Sequence, residues 1–158
     1  MGYCPQGALR IIEREADEFD EVSTHAKKEE KKEKQEKTTW RPQWPVQLNL
    51  VSVEAPFFEN SDLLLVADCV PVAYPGFHEI LVPGRGLLVG CPKFDDARKY
   101  VAKLGEILKR NNVKSLTVAH MEVPCCSGLK WIAEKAVEAS NKQIPVKYCV
   151  IGVGGEMK

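Results

Sequence analysis

Short, unbroken apolar runs constrain this chain more than any other feature: D-L-L-L-V-A-D at 62–68, G-L-L-V-G at 86–90 and S-L-T-V-A at 115–119. Runs without polar alternation suit strands covered on both faces, as in a parallel sheet clothed by helices. V-K-Y-C-V-I-G at 146–152 is a further strand of this kind, and V-Q-L-N-L-V-S-V at 46–53 alternates like a half-buried or edge strand. Helical periodicity fills the gaps. In 95–110, Ala97, Tyr100, Val101, Leu104, Ile107 and Leu108 fall on one stripe, with Asp95 as N-cap and Asn111-Asn112 as the stop. In 127–140, Leu129, Ile132, Ala133, Ala136 and Val137 form a second stripe behind Ser127 as N-cap. A weaker helix fits Pro75 to Leu81, ended by Pro83-Gly84. This alternation predicts an α/β fold: an open, mostly parallel five-stranded sheet, Rossmann-like, with helices on both faces.

That domain is expected over 40–158, and the sequence before it has another character. Residues 13–39 form a charged arm: 13–37 hold 17 charged side chains against two sizeable apolar ones, Phe19 and Val22, too few to offset the entropy of ordering. His25 belongs to this solvated stretch. W-R-P-Q-W-P at 40–45 reads as a stiff linker whose indoles pack on the domain that follows. A formal net charge of zero gives no electrostatic reason to expect nucleic acid or an anionic membrane as partner. The longest apolar stretch is too short to span a bilayer, and the N-terminus lacks a secretory pattern, so a cytoplasmic protein is expected. In a reducing compartment, six cysteines argue for metal ligands, reactive thiols or small core residues over a disulfide framework.

Mapped onto the predicted strands, four of the cysteines share one address. Cys69 follows the second predicted strand in A-D-C-V-P, Cys91 follows the third in V-G-C-P-K, and Cys125 and Cys126 lie between the fourth strand and its helix. In a parallel sheet these connections leave from the carboxyl ends of the strands, where ligands bind in this architecture. Four thiols from three connections can therefore converge. Pro71, Pro92 and Pro124 stiffen the three loops by fixing φ. Cys125 and Cys126 also precede a helix start, whose free N–H groups and dipole favour a thiolate. Cys149, inside the last apolar run, reads as a small core residue.

Zinc sites recur with C-x(2-4)-C spacing, whereas a multi-iron cluster spreads its ligand positions and demands four thiolates. The residues leave three readings open: an iron-sulfur cluster, a zinc or dithiol site with a reactive vicinal pair, and apolar cysteines in a plain interaction domain. His120, at the end of the fourth strand, His78 and Asp68 could support such a site from behind the ligands, although ordinary strand-end and surface roles suit them as well. Glu122 is a surface or capping residue by the same measure. There is no G-x-x-x-x-G-K-[ST], no G-x-S-x-G and no complete G-x-G-x-x-G after a strand; G-V-G-G at 152–155 comes too late to open a helix and reads as a flexible tail.

Two sets of motifs carry a resemblance. C-P-Q-G-A-L-R-I-I at 4–12 is similar to the end of a bacterial-type ferredoxin motif, in which a final cysteine precedes proline. A-D-C-V-P-V-A-Y-P-G-F-H, L-V-G-C-P-K-F-D-D and H-M-E-V-P-C-C-S-G-L resemble the C-terminal α/β domain of 4Fe-4S ferredoxin-like proteins from anaerobic bacteria and archaea. The resemblance makes residues 1–12 the remnant of a ferredoxin module, with Cys4 its last motif cysteine. It implies an electron-transfer or accessory module of an anaerobic redox system, with a 4Fe-4S cluster on Cys69, Cys91, Cys125 and Cys126 and a redox protein as partner. Only Cys4 of the ferredoxin motif is present, with no C-x2-C-x2-C before it, so the ferredoxin clusters are not expected to assemble on this sequence alone.

Overall fold

The computed structural model describes residues 43–158; the ferredoxin remnant expected at 1–12 and the charged arm expected at 13–39, with Cys4, His25 and Trp40, lie outside the described residues. Four strands form the sheet: β1 (Asp62–Ala67), β2 (Arg85–Gly90), β3 (Ser115–Met121) and β4 (Val146–Ile151). All pair in parallel, in the order β2-β1-β3-β4. The unbroken apolar run explains why β1 is central: Leu63, Leu64, Leu65 and Val66 are fully buried, so both faces of this strand are covered.

The helices are α1 (Val70–Ala73), α2 (Ala97–Arg110) and α3 (Gly128–Ser140). The two long ones pack on each other, with Gly105 of α2 set against Ala136 and Ala139 of α3. They cover the face that carries Gly90, which lies under the Tyr100 ring, and Tyr148, whose hydroxyl donates to Glu134 Oε1 at 3.2 Å. The β1–β2 connection runs across the sheet in the opposite direction, and right-handed crossover places it on the other face. There α1 and the turn Phe77–Leu81 bring in Val70, Phe77 and Leu81, all buried.

Three local expectations are corrected. Residues 46–53 do not form a fifth strand: Gln47 makes a single parallel bridge with Val89, and the chain then turns away at 48–50. The side chain of Gln43 takes over strand-like pairing, donating to Leu87 O at 2.6 Å and accepting from Leu87 N at 2.8 Å. Trp44 does not pack on the domain; it is 83% exposed. The weak helix at 75–81 is a one-turn helix at 70–73 followed by a wide turn at 77–81, because Pro75-Gly76 separates them. The tail is no flexible appendage, since Gly152 N donates to Glu156 O at 2.8 Å and Lys158 N to Val150 O at 2.9 Å. Cys149 is half-buried against the core rather than enclosed, because β4 is an edge strand.

Candidate thiol site at the carboxyl edge

The strand order reverses at β1. Its connection leads to β2 on one side, while the β2 and β3 connections lead to the other, so the carboxyl ends of β1 and β3 flank a topological switch point. Cys69 follows β1 and Cys125-Cys126 follow β3, one on each side of it. Cys91 follows β2, the neighbour of β1 on the far side. The pairing of β1 ends at Ala67↔Gly90 on one side and Val66↔Ala119 on the other, so Asp68 and Cys91 are the first residues beyond β1 and β2.

Each loop is held by its own backbone. The Cys69 carbonyl accepts from Val72 N at 3.2 Å and Ala73 N at 2.9 Å, closing α1, where Pro71 occupies the first turn and forfeits no donor. The Cys91 carbonyl accepts from Asp95 N at 3.0 Å. Pro124–Cys126 form a 3-10 turn in which Cys126 N donates to Val123 O at 3.0 Å. The start of α3, two residues beyond this turn, closely approaches the Cys91 loop: a Cβ on Gly128 would come within 3.0 Å of Pro92 Cβ, so only glycine allows this approach without displacement.

The sulfurs divide by exposure. Cys69 and Cys125 are exposed, whereas Cys91 is 9% and Cys126 3% exposed. The Cys126 thiol is hydrogen-bonded by the Met121 backbone, lies within hydrogen-bonding reach of the Cys125 thiol and feels the charge of Cys69. Burial dominates its ionisation and pushes the thiol pKa up, with the charges of Cys125 and Cys69 adding to the rise. The expectation of a helix-activated thiolate is thereby corrected for Cys126. Ser127 is not a side-chain cap either; its hydroxyl donates back to Pro124 O at 2.7 Å.

The supporting residues fall into place unevenly. Asp68 is exposed beside Cys69, and its carboxyl pKa is raised by burial first and by the Asp95 charge second. His120 is half-buried on β3 with Nδ1 at 2.9 Å from the Met121 carbonyl. His78 is on the Phe77–Leu81 turn with its ring edge-on to Phe77 at 5.0 Å. Glu122 turns toward the tail, accepting from Val153 N at 3.1 Å and from Lys158 Nζ.

A partly buried network beside the Cys91 loop, running from buried Tyr100 to exposed Asn49, had no counterpart in the sequence reading. The Tyr100 hydroxyl donates to Asp95 and accepts from Gln47 Nε2 at 3.1 Å, and Asn49 Nδ2 donates to Asp95 Oδ1 at 3.2 Å. Burial and the Asp95 carboxylate drive the Tyr100 pKa well above the usual phenol range. Asp95 is therefore the loop's anchor, and Asp96 is the N-cap of α2, accepting from Arg98 N at 2.9 Å. The adjacent pair of aspartates in C-P-K-F-D-D was the available signal.

Four parallel strands in this order, with chemistry-bearing side chains at the switch point, define a Rossmann-like α/β domain. The chain belongs to the Rossmann-like domain family, which matches residues 55–158. It is also similar to an uncharacterized protein of Archaeoglobus fulgidus, 31% identical over 116 residues, covering 73% of this chain and 81% of the relative. No solved structure matches it.

Proposed function

We propose that the carboxyl edge holds an iron-sulfur cluster and that the domain is an electron-transfer or accessory module in a reducing, cytoplasmic setting, serving a partner redox protein. The observation that carries this reading is the placement of four thiols, from the three connections after β1, β2 and β3, at one edge of the sheet. Among the described residues, no three His, Cys, Asp or Glu side chains gather tightly enough for a single metal ion. A zinc-thiolate centre with bonds of about 2.3 Å needs sulfurs roughly 3.8 Å apart. A cluster of several irons accepts sulfurs spread more widely, which suits thiols distributed over three strand ends. The preference for a cluster over zinc rests on the number of thiols, four, and on the lack of a C-x(2-4)-C spacing among them.

Cys69, Cys91, Cys125 and Cys126 would hold the cluster, and when bound it would supply one-electron chemistry. The protein's own share is orientation: Asp95 and Tyr100 brace the Cys91 loop, and the Pro92–Gly128 contact couples that loop to the Cys125-Cys126 turn. The first βα turn is Asp68-Cys69, leading directly into a one-turn helix, and it lacks the glycine turn and long helix that cradle a nucleotide phosphate.

Anaerobic reconstitution with iron and sulfide tests the reading. The wild type should develop charge-transfer absorbance and, on reduction, an EPR signal. Cys91→Ser should lose most of it, because no neighbouring thiol can replace Cys91. Absence of any cluster signal in the wild type overturns the proposal.

A further inference from the structure

We propose that residues 43–49 form a strap that sets the position of the Cys91 thiol, with Gln47 and Asn49 as its positioning residues. The proposal deepens the cluster reading and rests on it only for what a fixed thiol serves. The strap follows the outer edge of β2 toward the thiol end. Gln43 holds the Leu87 backbone through its side chain; then Val89 N donates to Val46 O and Leu48 N to Val89 O, both at 2.9 Å. At Gln47 the strap turns, with Leu50 N donating to Gln47 O at 2.9 Å and Asn49 N to Gln47 Oε1 at 2.6 Å. This turn brings two amide side chains to the Cys91 loop.

There Gln47 Nε2 donates to the Tyr100 hydroxyl at 3.1 Å and Asn49 Nδ2 to Asp95 Oδ1 at 3.2 Å, while Lys103 Nζ on α2 holds the Asn49 carbonyl at 2.9 Å. Asp95 passes this hold to the thiol residue, because its N–H closes the loop on Cys91 O at 3.0 Å. The Asp95 carboxyl is not spent on capping α2, a task Asp96 performs by accepting from Arg98 N and Lys99 N. Its two oxygens serve the strap and Tyr100 instead. Packing does not fix the tip of the loop, since Lys93 and Phe94 are both exposed. The direction of Cys91 therefore depends on the bonds at its two ends and on the approach of Pro92 to Gly128. Hydrogen bonds to a carboxylate are the stronger and more directional kind, which suits a positioning role.

Alkylation of the reduced, metal-free full chain by N-ethylmaleimide under anaerobic conditions, followed by peptide mapping, reads each thiol separately. Asn49 is exposed, so Asn49→Asp leaves the core intact and sets a second carboxyl against Asp95. Cys91 should then react about tenfold faster than in the wild type, as expected for losing one hydrogen bond to a charged group, while buried Cys126 keeps its rate. Gln47→Ala should act in the same direction. The swap of Asn49→Asp with Asp95→Asn again sets a donor opposite an acceptor and should return Cys91 to within about twofold of the wild-type rate. An unchanged Cys91 rate in Asn49→Asp, equal acceleration of Cys91 and Cys126, or a swap that restores nothing overturns the proposal. Cluster reconstitution of the wild type is scored separately, so the strap fails on alkylation rates and the cluster reading on a missing signal.

Discussion

Gly90 and Gly128 hold the two closest approaches at the thiol edge, and neither residue type was informative until its neighbour was known. A methyl group on Gly90 would meet the Tyr100 ring at 2.7 Å, and that ring is fully buried with its hydroxyl tied to Asp95 and Gln47. Gly90→Ala should therefore destabilise the domain by about 1–3 kcal/mol in urea unfolding; an unchanged midpoint would show that Tyr100 can move. Gly128→Val acts differently, pushing on Pro92 and through it on Cys91. Faster alkylation of Cys91 by N-ethylmaleimide at native stability is the expected readout, and an unchanged rate would mean the two loops are uncoupled. Asp96→Ala removes the α2 cap and should cost about 1 kcal/mol. Asp95→Ala should cost more, because it removes the acceptor of the buried Tyr100 hydroxyl proton and leaves only the bond received from Gln47.

Elements followed the hydrophobic pattern wherever the pattern was long. The stripes of α2 and α3 and the runs of β1, β2 and β3 were legible because burial on one face or both imposes the period. The stretch at 46–53 was not, since two-residue alternation records only half-burial, and half-burial is equally met by a turn lying along the sheet edge. Convergence of Cys69, Cys91 and Cys125-Cys126 on one edge followed from topology alone, but the depth of each thiol did not. Cys126 is buried because Pro124 starts a 3-10 turn that carries it under Met121, a detail of three residues. The tail was illegible for a related reason: its anchor, Glu122, is thirty-one residues from Val153. Lys158, and then the Val153 N–H, hold the Glu122 carboxyl below the ordinary carboxylate range. A depressed folded pKa means that the tail anchor is intact above the unfolded value and is lost as pH falls through the folded one. The Val153 amide resonance should therefore shift in the acid range in wild type and stay flat in Glu122→Gln.

At the scale of the molecule, one sheet supports two unlike ends of its strands, and Cys69, Cys91, Cys125 and Cys126 all follow the carboxyl end, while Cys149 lies within β4. The arrangement follows from strand order: because β1 is first in sequence but second in space, its connection and that of β3 leave toward opposite sides of the sheet, with Cys69 following one strand and Cys125-Cys126 the other. No helix among the described residues is long and apolar enough to cross a membrane. The core under the thiol edge centres on β1, so Leu65→Ala, at a fully buried position, should cost about 2–5 kcal/mol and loosen that edge with it. The most direct test of the central claim is elemental analysis of anaerobically purified protein. Iron and acid-labile sulfide in matching amounts, lost on Cys91→Ser, is the predicted result; zinc without sulfide, or no metal at all, would contradict it.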